Sequence, residues 1–122
     1  MTREFIELPS FRAEWKQIGF GDSDLRRLQE ELLLTPKAGA VIKGTGGIRK
    51  IRFSFVGRGK SGSVRVIYID FEAYEKLFLL AAYTKSEKEN LSVEECKQLH
   101  NLVNILEKEL ENKYTGGHNE HF

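Results

Sequence analysis

Residues 48–55 read Ile-Arg-Lys-Ile-Arg-Phe-Ser-Phe, and the alternation in that stretch decides the fold. Ile51, Phe53 and Phe55 fall on one side of an extended chain and Lys50, Arg52 and Ser54 on the other, the pattern of a half-buried strand. Gly57-Arg58-Gly59-Lys60-Ser61-Gly62 follows as a turn. Val64–Phe71 and Lys76–Tyr83, rich in Val, Ile, Tyr and Phe, read as further strands linked within Asp70–Glu75. Consecutive strands with short links predict an antiparallel meander.

Working outward, the period changes from two to that of a helix. On the N-terminal side Phe5–Leu8 is a short strand candidate, and Pro9-Ser10 can open a helix. In that helix Phe11, Trp15 and Ile18 share a face, and Gly19 or Gly21 ends it. Asp22-Ser23-Asp24 offers N-caps for a second helix carrying Leu25, Leu28 and Leu32, which Thr35-Pro36 stops. On the C-terminal side Ser92 and Glu95 form a capping-box signature, and Cys96, Leu99, Val103, Leu106 and Leu110 make one stripe of a last helix ending near Tyr114. The order β-α-α-β-β-β-α predicts an α+β domain over residues 1–115, a mainly antiparallel sheet with helices packed on one face. Residues 116–122 read as a flexible tail.

Composition sets the class. The chain has 122 residues, 40% hydrophobic and 30% charged, which fits one globular domain rather than a disordered chain. Arg3, Glu4 and Glu7 interrupt the N-terminus, so no secretory signal is expected there, nor any membrane partner. Cys96 is the single cysteine and lies in an apolar pattern, which suits an inert thiol in a reducing, cytoplasmic setting. The net charge of +1 hides an asymmetry. Residues 37–69 hold Lys37, Lys43, Arg49, Lys50, Arg52, Arg58, Lys60 and Arg65 with no Asp or Glu, a charge of +8 that leaves −7 elsewhere. Such a segment is a candidate polyanion footprint, a solvated charged face being the competing reading.

The chemistry gathers on the same segment. Alternation turns Lys50 and Arg52 away from the apolar face, and Arg65 from the next strand, with Lys85 and Lys88 past the last, can extend them into a convergent cationic surface. Arginine and lysine bind phosphate through charge-assisted hydrogen bonds, and they stabilise the extra charge of a phosphorane more than that of the ground state. Crowded cations also lower a lysine's pKa, one route to a general base without histidine. Gly44-Thr45-Gly46-Gly47 lacks the Lys-Ser/Thr of a P-loop and runs into a strand, so its glycines are read as a tight strand entry that lets an RNA backbone approach. His118, His121 and His100 have no Cys or carboxylate cluster beside them, and neither metal nor cofactor is expected. Tyr68 alternates with Val64 and Val66 and is read as packing.

These residues carry a resemblance. The stretch Phe5–Gly19 looks like the opening strand and helix of RelE-type toxins. The runs Ile42–Arg52, Gly57–Gly62, Arg65-Val-Ile-Tyr68 and Tyr83-Thr-Lys-Ser-Glu-Lys88 resemble the HigB branch of that superfamily, over roughly residues 5–95 in all. The resemblance implies a metal-independent endoribonuclease that cuts mRNA on the translating ribosome and is neutralised by a cognate antitoxin. It implies that Lys50 and Arg52 act on the attacking ribose 2′-hydroxyl and that Arg65 stabilises the phosphate. The family's later arginine and its base-stacking tyrosine are replaced here by Ser86 and Ser92, which leaves Lys85, Lys88 and Tyr83 as substitutes. Lys43, Arg49, Arg58 and Lys60 complete the expected RNA-binding set.

Two other functions fit the same pattern. A ParE-like gyrase poison shares the topology without needing a cationic nuclease site. A non-catalytic module could dock RNA, or an antitoxin's acidic segment, on the basic face. The partners implied by the toxin reading are mRNA on the ribosome, a cognate antitoxin such as a helix-turn-helix protein, and operator DNA reached through that antitoxin.

Overall fold

The structure, a computed structural model, describes residues 2–54, 63–88 and 90–116. Phe55, the turn Gly57–Gly62 with Arg58 and Lys60, and the tail from residue 117 onward lie outside the described residues. Strands β1 (Glu4–Glu7), β2 (Ala40–Val41), β3 (Arg49–Ser54), β4 (Ser63–Phe71) and β5 (Lys76–Thr84) form one sheet in the order β1-β5-β4-β3-β2. Helices α1 (Pro9–Ile18) and α2 (Asp22–Leu34) follow β1, and α3 (Val93–Glu111), continued by a π-helical turn at Asn112–Gly116, follows β5. The expected order and the antiparallel β3-β4-β5 meander are both present. β1 joins β5 in parallel, and β2, too short to leave a periodic signal in the sequence, pairs with β3 through Ala40↔Lys50 and Val41↔Arg49.

The α1–α2 hairpin meets the expectation of helices on one sheet face. Phe11, Trp15, Leu28 and Leu32 bury Phe53, Val64, Val66 and Tyr68 there. α3 lies against part of the other face, where Val103, Leu106 and Leu110 pack on Ile67, Ile69, Phe78 and Leu80. β4 and β5 are buried along both of their alternations and therefore need cover on two sides. β3 buries only Phe53 fully, so the face carrying its polar alternation stays open beside α3.

Local chemistry fixes these pieces. Pro9 occupies the first turn of α1, and Gly19 ends it in the left-handed region, at φ 107°. α2 is capped at Gly21, one residue before the expected acidic cluster, because the Asp24 side chain accepts a hydrogen bond from the Gly21 N–H at 2.9 Å. Past the end of β1 the outer edge of β5 is completed by α1. Ser10 Oγ donates to the Leu80 carbonyl at 3.0 Å, and Glu14 accepts from the Ala82 N–H at 3.0 Å. Tyr68 is fully buried, and its hydroxyl accepts from Gly39 N at 2.9 Å while donating to Pro36 O at 2.8 Å, which ties the segment after α2 to the sheet. No helix among the described residues is long and apolar enough to cross a membrane.

Candidate functional site

Directly opposed residues of an antiparallel pair point to the same face, and the register therefore builds the site. Arg52 stands opposite Arg65, and Arg65 opposite Tyr83, forming one row across β3, β4 and β5. Lys50 stands in the next row, opposite Ile67. Lys50, Arg52 and Arg65, with Ala40 and Asn90, line a depression of about 320 Å³. Among the described residues none of the three cations has a carboxylate within ion-pair distance. Arg65 is only 7% exposed, and among the described residues its guanidinium makes one long contact, Nη1 to Ser63 Oγ at 3.5 Å. Like charges opposed across a ladder and a buried cation without a counter-charge both raise the energy of the free protein. An anion in the depression would offset both.

The other candidates are dispersed. Arg49 lies on the opposite alternation of β3 from Lys50, and its Nη1 donates to Gly39 O at 2.7 Å and Lys37 O at 3.2 Å, holding the approach to β2. Lys43 is exposed in the segment before β3, and Lys85 is exposed just past β5. Neither lines the depression. Tyr83 is 5% exposed, too covered to offer a ring face to a nucleobase. Its hydroxyl has no hydrogen-bond partner among the described residues. Burial pushes that phenol's pKa up, while the Arg65 and Lys88 charges pull it back. Thr45 is buried and shapes the strand entry, its Oγ1 donating to Ile42 O at 2.6 Å and accepting from Ile48 N at 3.2 Å. Gly46 has φ +81°, and a Cβ there would come within 2.9 Å of the His100 ring on α3, so that glycine is needed for packing.

Residues 22–118 match the family described as the RelE toxin of the RelE/RelB toxin–antitoxin system. The chain belongs to the RelE toxin family. Its fold is similar to that of a double arginine-to-alanine mutant of E. coli toxin RelE in the free state, with TM-score 0.52 and 18% identity over 73% of this chain and 90% of that one. It is also similar to the intact E. coli RelBE toxin–antitoxin complex, with TM-score 0.50 and 16% identity over 68% of this chain and 96% of that one.

In this RelE-family chain the connection from β5 to α3 is clamped at both ends. Glu87 accepts from the Thr84 N–H at 2.9 Å and from its hydroxyl at 3.0 Å, closing a turn after β5. At the other end Ser92 Oγ accepts from Glu95 N at 3.1 Å, and Glu95 accepts from Ser92 N at 2.9 Å, the expected capping box. Lys88 also bonds to Glu95, so it is committed to the clamp and does not line the depression. The Lys88 ammonium and then the Ser92 N–H hold the Glu95 carboxyl below its usual range, and Glu95 raises Lys88. A lowered carboxyl contributes stability that is present above its unfolded-state pKa and lost as pH falls through its folded-state value. The raised lysine contributes stability that is lost only as pH rises through its own folded-state value. Glu95→Gln is expected to lower stability at neutral pH by roughly 0.2–1 kcal/mol, the range for partly exposed pairs. It should also flatten the acid side of the stability profile. Thermal melts across the carboxylate range test this, and an unchanged acid limb would contradict it.

Asn90 is the site residue that sequence reasoning did not find. It lies between a charged run and a helix cap, where asparagine reads as an ordinary turn residue. The fold brings it beside Lys50, Arg52 and Arg65.

Proposed function

We propose that this RelE-family chain is the toxin of a type II toxin–antitoxin system, of the HigB kind, acting as a ribosome-dependent endoribonuclease on mRNA. The observation that carries this reading is the opposed pair Arg52 and Arg65, with Lys50 beside it, around one open depression that has no carboxylate partner among the described residues. Sheet-centred cations in that arrangement suit a phosphodiester. Lys50 and Arg52 orient the ribose 2′-oxygen, which attacks the adjacent phosphorus as its proton leaves to a lysine or water. Arg65 holds the phosphorane charge. The bond from phosphorus to the 5′-oxygen then breaks, and that oxygen takes a proton from water. The products are a 2′,3′-cyclic phosphate and a 5′-hydroxyl, and no metal takes part.

The open basic face also suits the acidic segment of a cognate antitoxin. The RelBE structure is a toxin–antitoxin complex, and we assign this chain a partner of that kind, with operator DNA reached through it. A toxin acting on ribosome-bound mRNA would work in the cytoplasm. Expression of the chain in cells, followed by mapping of RNA ends, tests the reading. New 5′-hydroxyl ends inside translated frames are the expected result. Supercoiling defects with intact mRNA would replace the nuclease by a gyrase poison, and neither effect would leave a binding module.

A further inference from the structure

We infer that Asn90 recognises the ribose 2′-hydroxyl in the cationic depression, accepting its hydrogen bond through Oδ1 in the bound substrate, before that proton leaves, and so makes the site prefer ribose to deoxyribose. The inference rests on the phosphodiester reading of that depression.

The lining itself poses the problem. Lys50, Arg52 and Arg65 are hydrogen-bond donors only, and Ala40 has no polar side-chain atom. Donors alone bind phosphate oxygens, which DNA and RNA share. The 2′-hydroxyl differs in carrying a hydrogen as well as lone pairs, and that hydrogen needs an acceptor. Among the described lining residues Asn90 is the side chain that offers one. It is also neutral, so unlike a carboxylate it places no like charge beside the phosphate. Its amide makes no side-chain hydrogen bond to the described residues, which leaves Oδ1 available.

Position matters as much as chemistry. Asn90 stands between Lys88, bonded to Glu95, and Ser92, the cap of α3. Its neighbour Leu91 packs against the apolar cluster beneath α3. These contacts hold the described residues on either side of Asn90, and ordering a side chain presented from held neighbours costs less on binding.

Equilibrium binding of the full chain to a short fluorescent single-stranded RNA, and to DNA of the same sequence, tests the inference. The parent is expected to prefer RNA by about fivefold, the worth of one neutral hydrogen bond. Asn90→Ala should lose that preference by weakening RNA binding alone. Asn90→Asp keeps an acceptor, so it should weaken both ligands through its charge and retain the preference. A preference that survives in Asn90→Ala, or that is absent from the parent, overturns the assignment. Arg65→Ala separates the two levels. If it leaves RNA binding unchanged, the phosphate reading fails and the inference falls with it; if it weakens binding while Asn90→Ala keeps the preference, only the inference fails.

Discussion

Replacing Arg65 with alanine is expected to lower the rate of RNA cleavage by roughly a hundred- to a thousandfold, the loss typical when one pre-organised donor is taken from a developing charge. The variant should nevertheless be no less stable than its parent. Arg65 is buried opposite Arg52, and among the described residues its guanidinium has only the long Ser63 contact. Among the described residues, removing a cation so placed leaves no buried carboxylate behind, and it relieves a like-charge pair. Most residues this buried destabilise when truncated, so activity and stability moving in different directions would mark a group kept for function. Arg65→Lys retains charge but loses the planar fork, and its rate should fall between the two. Cleavage of ribosome-bound mRNA and urea unfolding supply the two readouts. A folded Arg65→Ala variant with full activity would remove Arg65 from the site.

The opposite signature is expected at Asp70. Arg3, entering β1, reaches the Asp70 carboxylate of β4 with Nε at 2.7 Å and Nη2 at 3.1 Å. The two side chains are 4% and 6% exposed. The pair ties the outer strand β1 to β4 past the intervening β5. Its hydrogen bond raises the Arg3 pKa, so Asp70→Ala leaves a charged guanidinium buried without its partner. The expected cost is roughly 3–5 kcal/mol, against a total stability of about 5–15 kcal/mol for an ordinary domain. Replacing both residues, as in Arg3→Met with Asp70→Leu, removes both buried charges and should recover most of the loss. Urea midpoints of the single and double variants check this. A single-variant loss below about 1 kcal/mol would mean that water reaches the pair.

Much of this was legible because it is local. Alternation located β3 and oriented Lys50 and Arg52, and the same alternation groups Arg49 with Ile51 and Phe53, on the face where it holds loop carbonyls. A charge count over residues 37–69 cannot separate those two directions. Ser92 and Glu95 announced the start of α3, since a capping box lies within one turn. The bond from Lys88 to that same Glu95 was not announced, because it depends on how the connection folds back before the helix. Tyr83 looked available for stacking, but β5 is covered on both faces and alternation does not distinguish its two sides.

The sequence by itself determined the element order, the capping box of α3 and the basic segment, all set by residues near one another along the chain. The tertiary structure decided which cations meet. Strand register opposed Arg52 to Arg65, and the seating of α3 over Ile67, Ile69 and Leu80 left the face above β3 open. The connection from β5 to α3 then added Asn90. Register and layer choice follow from the burial of whole faces, a sum over distant segments that no local pattern contains.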